Sequence, residues 1–159
     1  INALMTLIQL ENNPLLKQKQ IERVKGLTST VWDLEIAIIN SKKALDNIDF
    51  IYIHVEAPDE AGHSGNLEMK IKAIEDLDKR VVGRLLNKLD GIGFDYKIGI
   101  VADHPTPVKI KTHVSDPVPF AVYSENIKKD KTSRYTEKEA KKGNFGLING
   151  SEFIGLLKK

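Results

Sequence analysis

Apolar residues recur along this chain with two different spacings. From Asn66 to Leu89, the residues Leu67, Ile71, Ile74, Leu77, Val81, Leu85 and Leu89 fall three or four positions apart, with charges between them. That is the spacing of one buried helix face, and Gly91 and Gly93 end it. Phe50-Ile-Tyr-Ile-His-Val55 and Tyr96 to Val101 are instead short, nearly continuous apolar runs rich in β-branched and aromatic residues. Such runs suit strands covered on both faces of a parallel sheet. Val118 to Tyr123 reads as a third strand, and Pro117 and Pro119 give it an edge position or an irregular start, because proline cannot donate to a ladder. Upstream, Leu15, Leu16, Ile21 and Val24 predict an amphipathic helix over Leu10 to Val24, with Pro14 near its start and Gly26 past its end. A second helix through Leu34, Ile38, Ile39 and Leu45 has Asp33 as its candidate N-cap, and a last one over Glu152 to Leu157 has Ser151. Alternating strands and helices predict an α/β fold, a mostly parallel sheet with helices on both faces.

Composition narrows the function classes. With 159 residues, 41% hydrophobic and 29% charged, the chain is an ordinary globular domain able to bury a core. Lys+Arg number 24 against 22 Asp+Glu, a net charge of +2, so no strong field favours nucleic acid or an anionic membrane surface. The basic stretch Lys128 to Lys142 reads as a solvated face. There is no cysteine, which excludes a disulfide framework, thiolate zinc sites and cysteine nucleophiles. No apolar run approaches the roughly 20 residues of a membrane-spanning helix. The opening Ile1 to Leu10 lacks the basic region and small-residue cleavage site of a signal peptide. A cytoplasmic location is the expectation.

Two segments carry candidate chemistry, and each directly follows a predicted strand. One is Glu56-Ala-Pro-Asp59-Glu-Ala-Gly-His63-Ser-Gly65; the other is Ala102-Asp103-His104-Pro-Thr-Pro107, with Thr112-His113 before the next strand. Ligands of open α/β sheets bind at the carboxyl ends of strands, so Asp59, His63, Asp103, His104 and His113 are placed to converge. Any one histidine after a strand is ordinarily a hydrogen-bonded loop residue. Here three of the chain's 4 histidines fall at strand ends, two of them close to an aspartate, and coincidence is a poor account of that. Two carboxylates and three imidazoles suit Zn²⁺, Mn²⁺ or a similar divalent ion better than Ca²⁺, which prefers oxygen alone. Adjacent Asp103 and His104 share one ion awkwardly, so five ligands suggest two ions, a device for clamping the entering and leaving oxygens of phosphoryl transfer. His54, inside the strand run, reads as a satisfied core or outer histidine. Ser64 and Thr106 read as capping or ligand-orienting hydroxyls rather than nucleophiles, and Glu56 and Glu60 as outer partners or solvated loop carboxylates. Thr28-Ser-Thr30 reads as a loop and Trp32 as core or rim.

These blocks are similar to a known family. His54-Val-Glu-Ala-Pro-Asp59-Glu-Ala-Gly-His63-Ser-Gly65, then Lys70-Ile-Lys-Ala-Ile-Glu-Asp-Leu-Asp78-Lys-Arg-Val-Val-Gly83, resemble the cofactor-independent (2,3-bisphosphoglycerate-independent) phosphoglycerate mutases of archaeal type. Ala102-Asp-His-Pro-Thr-Pro107 and Thr112-His-Val-Ser-Asp-Pro-Val-Pro-Phe120 match the same family in the same order. The resemblance is close from about Ile48 to Tyr123. It implies an alkaline-phosphatase-like core, here incomplete: residues 1–47 would be a helical region without a clear counterpart, and 48–159 the metal-binding C-terminal part. It implies two divalent metal ions (Mn, Zn, Mg or Co) and no 2,3-bisphosphoglycerate. Asp59, His63 and His113 would hold one ion, and Asp103 and His104 would contribute to the other. The implied reaction interconverts 3-phosphoglycerate and 2-phosphoglycerate through a phosphoserine intermediate, in glycolysis and gluconeogenesis. Family members are much longer, and the segment that supplies their nucleophilic serine has no counterpart found in this chain. The partner expected is a small phosphorylated substrate, with no nucleic acid and no membrane. An unpaired sheet edge left by missing strands is expected to favour self-association. The competing expectations are a non-catalytic relic of the fold and another metal-dependent phosphatase or phosphotransferase of the superfamily.

Overall fold

A computed structural model describes residues 4–10, 21–26, 50–90 and 95–158 of the chain, the first two segments as backbone. Five strands form one sheet: β1 (Leu4–Leu10), β2 (Ile21–Gly26), β3 (Phe50–Val55), β4 (Tyr96–Ala102) and β5 (Phe120–Tyr123), in the order β2-β3-β1-β4-β5. β2 runs parallel to β3, whereas the β1–β3, β1–β4 and β4–β5 pairs are antiparallel. The sheet is therefore mixed rather than mostly parallel. A continuous apolar run reports burial on both faces and says nothing of the direction of its neighbour. Both β3 and β4 oppose β1, so they point the same way and their carboxyl ends share one edge of the sheet.

Alternation along β3 and β4 sends side chains to opposite faces. Ile51 and Ile53 of β3 and Ile98 of β4 pack with Leu77, Val81, Leu85 and Leu89 on one face. Phe50, Tyr52, Val101, Phe120 and Val122 pack on the other face under Phe153 and Leu157. Helices thus cover both faces, as expected. Each buried Leu, Ile or Val contributes about 1.5–3 kcal/mol of transfer free energy. On the second face the closeness is set by Gly99, where a Cβ would stand 2.8 Å from Phe153 Cζ and 3.1 Å from Leu157 Cδ1.

The helix expected from Asn66 to Leu89 is present in three parts: α2 (Leu67–Leu77), a π-helical turn (Asp78–Val82) and α3 (Gly83–Leu89), with α1 (Ala57–Ser64) preceding them. Its buried stripe, Leu77, Val81, Leu85 and Leu89, advances in steps of four. At 3.6 residues per turn such steps drift around the cylinder, and a wider π turn absorbs the lag. Leu67 and Ile71, assigned to the same face by periodicity, are 60% and 49% exposed.

Two short helices complete the described chain, α4 (Glu137–Ala140) and α5 (Gly150–Lys158). α5 starts one residue earlier than Ser151 allows for a cap. Instead the Asn149 N–H donates to Glu152 Oε2 at 2.7 Å, half of a capping box. β5 begins at Phe120, after both prolines, and lies at the sheet edge as expected. The helix expected over Leu10 to Val24 is not observed where the chain is described: Ile21 to Gly26 pairs with β3. Short amphipathic segments are ambiguous between helix and strand, and an adjacent strand edge decides the matter. The expected helix through Leu34 to Leu45, the Thr28 to Thr30 loop and Trp32 lie outside the described residues. Among those described, no helix is long and apolar enough to cross a membrane.

Candidate metal centre

β3 runs directly into α1. Pro58 occupies the first turn, where its missing N–H costs nothing. The helix ends at Gly65, whose φ of 75° a residue with a Cβ rarely adopts. Its N–H bonds to Gly62 O at 3.1 Å while Asn66 N bonds to Ala61 O at 3.3 Å, a left-handed C-cap. Asn66 then caps α2, its Oδ1 accepting from Met69 N at 2.9 Å. Asp59 and His63, four apart on α1, share one face, with His63 Nε2 3.3 Å from Asp59 Oδ2.

β4 ends at Ala102, and Asp103 and His104 follow at once. Asp103 Oδ1 accepts from the His104 backbone N–H at 2.9 Å. The loop beyond closes on itself, with Val114 N donating to Pro105 O at 3.0 Å. Inside it, Pro107 O accepts from Ile110 N at 2.9 Å and from Lys111 N at 2.8 Å. This tight turn puts Lys111 at φ 60°, a left-handed conformation unusual for a lysine and a form of strain that collects at functional sites. The loop brings His113 against α1.

There the donors converge. His113 Nε2 stands 3.0 Å from His63 Nε2 and 3.6 Å from Asp59 Oδ1, and one ligand atom from each of the three residues lies within 4.8 Å of the others. Donors on one tetrahedral ion, bound at about 2.0–2.2 Å, stand roughly 3.3–3.6 Å apart; the two imidazoles stand 3.0 Å apart and lie 3.3 and 3.6 Å from different oxygens of the Asp59 carboxylate, close to that spacing. The chemistry also fits. His63 Nδ1 lies 3.0 Å from the Lys111 carbonyl oxygen, which can only accept, so Nδ1 carries the proton and Nε2 offers its lone pair. Thr106, fully buried, donates from Oγ1 to Asp59 Oδ1 at 2.6 Å and orients the carboxylate.

The remaining two candidates adjoin this set. The His104 ring lies against His113, centroids 3.6 Å apart, and its Nε2 is 3.3 Å from Asp103 Oδ2. Thr106 Oγ1 also stands 3.4 Å from His104 Nδ1, which links this imidazole to the hydroxyl that serves Asp59. All five residues expected to converge therefore share one patch. His54 is apart from them, with Tyr52 Oη 3.3 Å from its Nδ1 and Glu56 3.7 Å from its Nε2. Ser64 Oγ donates to Ala61 O at 2.8 Å and is turned back onto its helix.

Three contributors escaped sequence reasoning. Gly62 is buried where a Cβ would stand 2.5 Å from Thr106 O; Lys70 Nζ donates to that same oxygen at 2.6 Å; and Lys111 acts through its carbonyl. A glycine after a turn of helix and a lysine in an amphipathic pattern carry no signal of such contacts.

The Metalloenzyme superfamily profile matches residues 11–157. The chain is 42% identical over 136 residues to a 2,3-bisphosphoglycerate-independent phosphoglycerate mutase of Methanothrix thermoacetophila, covering 84% of this chain and 34% of that protein. It is 47% identical over 114 residues to the phosphoglycerate mutase 2 of that kind from Methanothermobacter thermautotrophicus, covering 72% and 28%. A solved structure of a Pyrococcus horikoshii protein superposes with a TM-score of 0.66 at 30% identity, over 78% of this chain and 36% of that one. The chain spans about a third of the length of the curated relatives it matches. Helices and strands in this order, an Asp and His donor set at the strand ends and the matching profile agree: the chain belongs to the Metalloenzyme superfamily.

Proposed function

We propose that this chain is the metal-binding part of a 2,3-bisphosphoglycerate-independent phosphoglycerate mutase, built on an alkaline-phosphatase-like core and acting in the cytoplasm, in glycolysis and gluconeogenesis. The observation that carries the reading is the convergence of Asp59, His63 and His113 donors at 3.0–3.6 Å. In this reading they hold one divalent ion, Mn²⁺ or Zn²⁺ by donor type, and Asp103 and His104 contribute to a second. The pair of ions supplies Lewis acidity for transfer of a phosphoryl group between the 3- and 2-hydroxyls of glycerate. The chain's own residues hold the donors in place: Thr106 fixes the Asp59 carboxylate and the Lys111 carbonyl fixes the His63 tautomer. Ser64 Oγ donates back to Ala61 O and Thr106 Oγ1 to Asp59, so this reading gives them capping and ligand-orienting roles rather than that of nucleophile. In this reading the nucleophilic serine of a phosphoserine mechanism is not one of the hydroxyls at the described site.

Metal stoichiometry of the purified chain with Mn²⁺ and Zn²⁺, measured beside His63→Ala and with a mutase assay, tests the reading. At least one ion bound per chain, lost in His63→Ala, is the expected result, without turnover until the remaining sequence is supplied. A chain that binds no metal would overturn the ligand assignment. Turnover by the chain alone would return Ser64 to consideration as nucleophile.

A further inference from the structure

Behind the donor set lies a charged group that the proposed reaction does not use. Lys70, on α2, is 7% exposed, and its Nζ donates to the Thr106 carbonyl oxygen at 2.6 Å. Thr106 is itself fully buried and spends its hydroxyl proton on Asp59 Oδ1 at 2.6 Å. Gly62 closes the third side: a Cβ there would stand 2.9 Å from Thr106 Cγ2 and 3.0 Å from Lys70 Nζ. Burial lowers the Lys70 pKa from its ordinary value, while the Asp59 and Glu137 carboxylates raise it. A core position filled by an ammonium is costly unless its hydrogen bond does something an apolar side chain could not.

The geometry points to Lys70 as a positioning residue for the metal centre: by holding the Thr106 main chain against α1, it aims the Thr106 hydroxyl at Asp59. The inference rests on the reading of Asp59, His63 and His113 as a metal site. The hydrogen bond from Lys70 reaches Asp59 by way of Thr106. A purely electrostatic role has the opposite sign, because a cation behind the site repels a metal ion, and its removal would tighten binding.

The test is a double-mutant cycle on the whole chain with Lys70→Met, Thr106→Val and the pair, read by Zn²⁺ affinity and by the visible spectrum of the Co²⁺-loaded protein. Loss of an outer partner costs about 10–100-fold in metal affinity, and each single variant is expected to fall in that range. Each is also expected to shift the Co²⁺ bands at saturation, which a loss of stability alone would not do. The double variant should lose little more than Thr106→Val, since Lys70 has no hydroxyl left to aim. Unchanged or tighter binding in Lys70→Met, an unshifted spectrum, or strictly additive losses would overturn the inference. If Lys70→Met does not fold, Lys70→Gln, which keeps an N–H donor on a shorter arm, carries the test. If neither folds, Lys70 is structural and the inference is wrong. Failure of the unmutated chain to bind metal would instead fail the underlying reading.

Discussion

His63 and His113, fifty residues apart, present their Nε2 atoms to each other at 3.0 Å. One comes from a helix that continues β3 and the other from a closed loop that continues β4. The contact joins the two strand ends, and neither imidazole can be replaced by its neighbours. His113→Ala should therefore weaken Zn²⁺ binding as severely as His63→Ala. The loss should exceed the roughly 10–100-fold typical of an outer partner, as isothermal titration would measure.

Gly62 gives a test in which the usual sign reverses. Alanine for glycine inside a helix ordinarily stabilises by up to about 1 kcal/mol, and Gly155→Ala in α5, where a Cβ would meet nothing within 4 Å, should do so. Gly62→Ala would put its methyl 2.5 Å from Thr106 O and should destabilise by about 1–3 kcal/mol through overpacking. Denaturant melts of the two variants side by side decide it.

Lys111 serves His63 through its carbonyl, so its side chain should be dispensable. Lys111→Gly should keep Zn²⁺ affinity. Its stability should change by less than about 1 kcal/mol, because relief of left-handed strain offsets the extra freedom of glycine in the unfolded chain. Lys111→Pro cannot reach φ 60° and lacks the N–H given to Pro107 O. It should lose metal affinity.

The buried phenols set the alkaline limit. Burial, with Tyr123 beside it, pushes the Tyr96 phenol up to about 12, and burial also raises Tyr135, whose Oη donates to Pro119 O at 2.7 Å. The unfolded chain releases these protons near pH 10, the folded one later, so the unfolded state binds fewer protons and stability falls as pH rises. The contribution from Tyr96 should be intact below about pH 10 and lost by about pH 12. Denaturant midpoints across that window should decline as pH rises.

Much of this was legible in the residues. Phe50–Val55 and Tyr96–Ala102 are strands where β-branched apolar runs place them, and the Asp59, His63 and His113 donors meet because the segments that carry them follow those strands. Direction within the sheet was not legible, since burial on both faces does not specify a neighbour's sense. Nor were Lys70, Gly62 and Lys111, which contribute through contacts to main-chain atoms. Main-chain contacts leave almost no trace in side-chain pattern, although the collision at position 62 and the Nζ donor at position 70 both constrain residue type.

The loop from Pro105 to Val114 has a further consequence. The amides of Ile110, Lys111 and Val114 are all tied to carbonyls within that loop, and the same loop carries His113. Any opening that releases the histidine must also expose these three N–H groups to solvent, while the strand amides of β4 stay protected. Their deuterium uptake thus reports the donor set's own opening equilibrium, separately from global unfolding, and an ion bound by His113 should slow exchange at these three positions before it raises the melting point of the whole chain.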